Sequence, residues 1–453
     1  MALTAFLPFF VVLVLWAMRS PQSWLAATGF ACFLQGASPI ILTAGGRESG
    51  LAPGYLLIGI GVFHYLRNSL QYAPRSGRTA DRGMSTPQIW LCMFTLIGVV
   101  GALLLPRVFS GIAHAMETRG SISAGVAKLV HPSGTNFIQA FYLILNLMLF
   151  SIAARMVRTV QGGLESALKG VAAGLLFASL LGLYQLIGYY VGLPWPADII
   201  NSNTGVGQFP DQMAGGLKRI TSTFWEPSLL GYNFVGCLGI FLLGARKPWL
   251  GALALCVLLL STSSLGYFGL IALLGVWMLV DRQTAANIKW RAVAAVAAIC
   301  IAFVIVDQVV LDGEVINDMV LNKAASSSGV GRGLANQLAM QTLFESVGLG
   351  VGVGSARASS FIATLLATTG LPGTIAFIGF AVSLVVACLR KGDTTALQLG
   401  YGLVGFLLVW AIAIPDTIQA LFWFVAGLAG GYTYTPAATR AVVTGNAVAW
   451  PAK

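Results

Sequence analysis

WLGALALCVLLLSTSSLGYFGLIALLGVWMLV, residues 249–280, contains no charged side chain and is interrupted only by the polar run Ser261 to Ser264. Each flanking run is shorter than the ~20 residues that cross a ~30 Å hydrocarbon layer. The stretch therefore predicts a hairpin of two short membrane helices. Its polar tip must be tucked into protein, because lipid cannot satisfy exposed backbone groups.

Outward from this hairpin the same texture continues. Apolar windows lie near residues 4–18, 24–44, 51–66, 88–106, 136–154, 171–191, 227–245, 292–310, 371–389, 396–414 and 418–434. Charged residues make up 9% of the chain and mean hydropathy is +0.83, against about 25% charged residues in soluble domains. The expected fold is all-α, one polytopic integral membrane domain over residues 1–453 with about 12–14 transmembrane helices. This leaves no room for an appended soluble enzyme. The N-terminal run lacks a basic leader and a small-residue cleavage site, so it is expected to be a first membrane helix. The six cysteines lie inside apolar windows without a CxxC pair, so they are expected to be buried small hydrophobes.

Lys and Arg set the orientation, because short cytoplasmic loops retain them. Arg19, Arg67, Arg75, Arg78, Arg82, Arg155, Arg158, Lys169, Arg246, Lys247, Arg282, Lys289, Arg291, Arg390, Lys391, Arg440 and Lys453 fall on one side. The same side carries Asp81, Glu165, Asp281 and Asp393. The net charge of +11 thus reports membrane orientation, and nucleic acid is not an expected partner. The opposite, extracytoplasmic side carries three long segments, 107–135, 192–226 and 311–360, far larger than a helix hairpin needs.

Two constellations in those segments bear chemistry. Lys218-Arg-Ile-Thr-Ser-Thr-Phe-Trp-Glu-Pro-Ser228 runs into a span. Pro227 suits a first helical turn and puts Glu226 at the N-cap. Free N–H groups there, with Arg219, suit a phosphate anion. Alternatively Arg219 anchors to headgroups and Glu226 only caps the helix. The second constellation extends from Arg332 to Arg357. Leu334, Leu338, Met340, Leu343, Phe344 and Val347 are expected on the apolar face of a helix lying on the bundle. Gly348, Gly350, Gly352 and Gly354 follow, letting backbone approach something closely, whether a ligand or the turn itself. Val353 and Ser355 stand where a dinucleotide fingerprint needs its third glycine, so that reading is rejected.

Together these motifs resemble the O-antigen ligase and O-antigen polymerase superfamily of bacterial membrane glycosyltransferases. The resemblance rests on Arg219, Phe224, Glu226, Pro227 and Ser228 at the head of a span. The Ser/Thr-rich break at 261–266 follows, then Arg332, the glycine run and Arg357 in the largest outer loop. It covers roughly residues 170 to 435. Ligases of this superfamily carry a functional His in that loop, whereas the histidines here are His64, His114 and His131. The resemblance therefore implies a polymerase, with a GT-C-like fold, in the cell inner membrane, its active site facing the periplasm. Donor and acceptor would be polyprenyl-diphosphate-linked glycans, with the lipid bilayer and a chain-length regulator protein as partners. No cofactor is implied.

Chemically, a departing polyprenyl diphosphate calls for cationic help, expected from Arg219 and Arg332, with Arg357, Lys218, Gly350 and Gly352 binding diphosphate or glycan. Arginine stays charged and cannot be the base. Glu226 is expected either to act as the base or to orient Arg219, and His131 is the reserve base. Asp312, Glu314 and Asp318 have no His or Cys partner, so no metal site is expected; Asp307 and Asp416 fit exposed helix ends. Two rival functions remain: a ligase moving a finished glycan to lipid A core or another acceptor, and a lipid or sugar transporter or flippase. The transporter reading fits less well, since the spans are nearly free of mid-membrane charge.

Overall fold

The structure, a computed structural model, describes residues 2–44, 47–71, 84–116, 127–214, 216–244, 247–281, 286–310, 313–314 and 327–434. Arg75, Arg78, Asp81, Arg82, Arg246, Arg282, Asp312, Asp318, Arg440 and Lys453 lie outside these residues, as do parts of the expected loops 107–135 and 311–360.

Helices dominate. In chain order they are α1 (Leu7–Met18), α2 (Pro21–Ala31), α3 (Pro53–Leu56), α4 (Ile58–Gln71), α5 (Thr86–Val108), α6 (Gly134–Thr159), α7 (Gly163–Val191) and α8 (Ala197–Ile200). There follow α9 (Pro227–Leu238) with a π-helical turn at Gly239–Leu243, α10 (Pro248–Leu260), α11 (Ser264–Val280) and α12 (Ala286–Val310). The last are α13 (Ser327–Glu345), α14 (Phe361–Lys391), α15 (Thr394–Ile412) and α16 (Ala420–Tyr434). Among the described residues, six helices are long and apolar enough to cross a membrane: α5, α6, α7, α12 over Lys289–Val309, α14 and α15. Shorter apolar helices include α1, α9 with its π turn, α10 and α11. The protein is an all-α, multi-pass membrane protein.

Local chemistry starts and stops these helices where the packing needs them. The Ser20, Ser263, Ser360 and Asp393 side chains accept from first-turn N–H groups of α2, α11, α14 and α15, each satisfying an otherwise orphaned donor. Pro227 and Pro248 open α9 and α10. The core is aromatic around Trp410: Phe361 stacks on it at 4.1 Å between ring centroids and Phe422 meets it edge-on at 4.8 Å.

Contacts between loops sort the helix ends into two groups. At one end Gln22 reaches the carbonyl of Gln161, Gln398 that of Gly244, and Tyr432 the carboxylate of Asp393. At the other end Gly36 meets Thr223, His114 meets Glu345 and Arg357 meets Asp416. Arg155, Lys169, Lys247, Arg390 and Lys391 all sit on helix ends of the first group.

Three expectations need correction. The window 24–44 is not one span: α2 stops at Ala31, and Ile40–Ala44 forms a strand, β2, paired antiparallel with β1 (Ala2–Leu3) and β3 (Arg47–Gly50). Between them Gly36 donates to the carbonyl of Thr223 at 2.7 Å and accepts from Asn203 at 3.0 Å. A side chain there would meet the backbone of Ile200 and Thr223, so buried turn replaces helix because other loops satisfy its polar groups. Secondly, α13 packs through Gly331, Ala335, Ala339, Thr342 and Ser346. Of the expected apolar face, Leu343 is buried and Leu338 half-buried, but Leu334, Met340, Phe344 and Val347 are exposed, since small residues allow the closer approach to the bundle. Thirdly, Cys256 is exposed and Cys92 and Cys300 are half-buried, whereas Cys32, Cys237 and Cys388 are buried.

Candidate functional site

Helix α10 has 13 residues, about 20 Å at 1.5 Å per residue, short for a full crossing. Ser261, Thr262 and Ser263 are buried at the α10–α11 tip. Thr262 has φ +49°, an unusual conformation for a β-branched residue. It turns the Thr262 carbonyl toward the segment that precedes α9.

That segment is as buried as the tip. Gln185 of α7 accepts from the N–H groups of Thr221 and Ser222 at 2.8 and 2.9 Å, and the Ser222 hydroxyl donates to Ala178. Upstream, β6 (Met213–Ala214) pairs with β7 (Leu217–Lys218), and the Arg219 N–H donates to the carbonyl of Gln212. Arg219 enters the bundle with a fixed backbone. Its Nη1 donates to Gln212 Oε1 at 3.1 Å and its Nη2 to the Thr262 carbonyl at 3.3 Å, while its buried Nε has no partner.

Three further groups act on this guanidinium. Burial pulls it below its ordinary value; Glu226 and Tyr267 oppose that, and the positive charge of Arg332 adds to it. Two arginines from separated segments therefore stand within electrostatic reach of each other. Arginine remains charged through such a shift. Arg332 lies in the second turn of α13, exposed. Asn336, on the same face one turn later, accepts from the N–H groups of Ser359 and Ser360 at the head of α14. Glu226 is the N-cap of α9 in extended conformation, but its side chain makes no capping bond. Its carboxylate is half-buried beside Arg219.

The remaining expected residues are placed elsewhere. Lys218 is buried and pairs with Asp211 at 3.0 Å. Arg357 pairs with Asp416 at 2.9 Å, and the backbone of Asp416 is held by Trp410, so Asp416 serves an internal ion pair. Gly350 and Gly352 meet the chain itself. Pro372 lacks an N–H and Gly370 is non-helical inside α14, which frees carbonyls one turn earlier. The N–H groups of Val351 and Gly352 donate to Ala367 and Thr368 at 2.9 and 2.8 Å. A Cβ on Gly352, at φ +88°, would lie 2.7 Å from the carbonyl of Gly101.

His131 bonds to Ser110 at 3.0 Å on an exposed loop. The pairing of β4 (His114–Ala115) with β5 (Lys128–Leu129) sets that loop beside His114 and hence beside Glu345, about 20 Å along α13 from Arg332. His64 is buried and bonds to the Ala17 carbonyl. Glu314 is exposed. Among the described residues no three His, Cys, Asp or Glu side chains gather as metal ligands. Sequence reasoning missed Gln212, Gln185 and Tyr267, which carry no motif and matter only through the fold. Comparison with protein-family models and with curated proteins finds no match to this chain.

Proposed function

We propose that this protein is an extracytoplasmic glycosyltransferase that joins polyprenyl-diphosphate-linked oligosaccharide units into a surface polysaccharide. The observation that carries the reading is the electrostatic proximity of Arg219, Arg332 and Glu226 at the end of the bundle opposite the basic loops. A free buried Nε on Arg219 and the N-terminus of α9 add donors for a diphosphate.

In this reaction an acceptor sugar hydroxyl attacks the anomeric carbon of the donor. The new C–O bond forms as the bond to the diphosphate oxygen breaks, and the polyprenyl diphosphate leaves with the electron pair. Arg219 and Arg332 meet the charge that develops on its oxygens, where preorganised donors act most strongly. Glu226, unused as a cap, takes the hydroxyl proton. Lys218 and Arg357 are each neutralised by a carboxylate and are assigned no role at the diphosphate; Gly350 and Gly352 are assigned to the scaffold.

The lack of any histidine beyond His131 favours a polymerase over a ligase. The break in α14 is the feature a transporter reading would use, yet the freed carbonyls of Ala367 and Thr368 are consumed by the glycine run. The membrane would be a bacterial inner membrane, with a chain-length regulator as a partner. Purified protein incubated with a lipid-linked repeat unit should release polyprenyl diphosphate and yield a polymer ladder. Release of neither sinks the reading, and transfer only to lipid A core, without polymer, points to the ligase.

A further inference from the structure

Lys218 and Arg219 are consecutive at the end of a strand, so their side chains leave on opposite faces. Arg219 turns toward Gln212 and the carbonyl of Thr262. Lys218 enters a separate cavity of about 70 Å³ at the C-terminal end of α7. Three aromatic rings line it. Tyr184 and Trp195 stack with centroids 6.4 Å apart and 29° between planes, and Tyr189 lies under the Lys218 ammonium at 4.9 Å.

These groups are held in place before any ligand arrives. The Tyr184 hydroxyl donates to the Pro194 carbonyl at 2.7 Å and Trp195 Nε1 donates to Asn201 Oδ1 at 2.8 Å. Gln185 also lines the cavity, with its amide donating to Thr221 and Pro210. The Lys218 side chain is only 3% exposed, and the Asp211 carboxylate 3.0 Å away is 91% exposed. The ion pair cancels the charge of the cavity while leaving outward-facing acceptors and unused ammonium N–H groups.

A neutral lining of fixed aromatic faces, edged by hydrogen-bonding groups, suits an uncharged polyhydroxylated ring: C–H bonds of a pyranose lie on the electron-rich ring face and hydroxyls meet Asp211 and Lys218. It does not suit a phosphate, whose charge the Asp211 carboxylate would repel. Tyr and Trp also anchor proteins at membrane interfaces, and Tyr184 and Tyr189 are exposed, but the Tyr184 hydroxyl and Trp195 Nε1 are tied to their own chain and Lys218 is buried. We propose that this cavity is a subsite for one neutral sugar unit of the glycan, on the far face of the β6–β7 hairpin from the residues assigned to the diphosphate. This assignment rests on the glycosyl-transfer reading only for the role of the bound sugar, not for the binding itself.

The test uses the full-length protein in detergent and, as probe, the repeat-unit oligosaccharide cleaved from its lipid diphosphate. Wild type should bind this probe, seen as saturation transfer to sugar-ring protons. Trp195→Ala and Tyr189→Ala should each weaken binding about three- to tenfold, the scale of one aromatic contact, with Trp195→Phe close to wild type. Arg219→Ala should bind the free oligosaccharide normally while losing turnover. With lipid-linked substrate, KM should rise by the same factor in the two aromatic variants and kcat stay within about threefold. Wild type that ignores the probe, or alanine variants that bind it and turn over as wild type does, would overturn the subsite; a lowered melting temperature with unchanged binding would instead mark an interfacial anchor. If the probe binds through Trp195 and Tyr189 but no polymer forms in any preparation, the subsite stands and the glycosyl-transfer reading fails.

Discussion

Arg219 Nη2 donates to the backbone carbonyl of Thr262 at 3.3 Å, joining the loop before α9 to the tip of the α10–α11 hairpin across 43 residues of chain. The contact ties the guanidinium to the buried tip of that hairpin. The positive φ of Thr262 presents the carbonyl, and Gln212 holds the other arm of the fork.

Removing this guanidinium should abolish polymer. Arg219→Ala and Arg332→Ala are each expected to lower kcat by about 10²–10³, as for loss of an oxyanion donor, with protein levels intact by immunoblot. Arg219→Lys should also fail, because one ammonium cannot serve Gln212, Thr262 and a diphosphate together. Wild-type ladders from both alanine variants in a polymer-deficient strain would count against this site.

Glu226→Gln keeps the shape at the head of α9 but cannot accept a proton. Turnover should fall by about 10²–10⁴, while binding of the lipid-linked donor, measured directly on purified protein, changes little. A Gln variant with full kcat would show that the proton leaves by another route.

Gly352→Ala should destabilise the protein by about 1–3 kcal/mol. The new methyl meets the Gly101 carbonyl and the Pro106 ring, at a φ of +88° that alanine resists. Gly59→Ala, in a helix where nothing lies within 4 Å of the added carbon, serves as the comparison and should leave the melting temperature unchanged or raised. Equal melting temperatures for the two variants would contradict the placement of the glycine run.

Acid should loosen the far end of α13. Burial raises the Glu345 carboxyl, but hydrogen bonds from the His114 N–H at 2.5 Å, Gln341 and the His114 ring outweigh it and hold it below the ordinary 4.5. The ionised form is therefore the one that docks: its contribution is complete above about 4.5 and is lost as pH falls through the lower folded value. Limited proteolysis between α13 and α14 should accelerate below that pH in wild type. In Glu345→Gln it should already be fast at neutral pH, and identical pH profiles for the two proteins would refute the coupling.

Apolar run length and the absence of charge were enough to establish a multi-pass helical protein, because a hydrocarbon solvent dictates both. They also placed Pro227 and Glu226 at a helix start and the Ser261–Ser263 tip inside protein, since these follow from local backbone chemistry. The same measure failed over residues 24–44: hydropathy reports only burial, and a buried turn satisfied by Thr223 and Asn203 is as apolar as a helix. It failed again on α13, where periodicity counts large side chains but packing is decided by which face comes closest. Whether Arg219 meets Arg332, and whether Arg357 is spent on Asp416, was decided only by tertiary structure. Charges far apart along the chain carry no local signal of the partner that will neutralise them or leave them available.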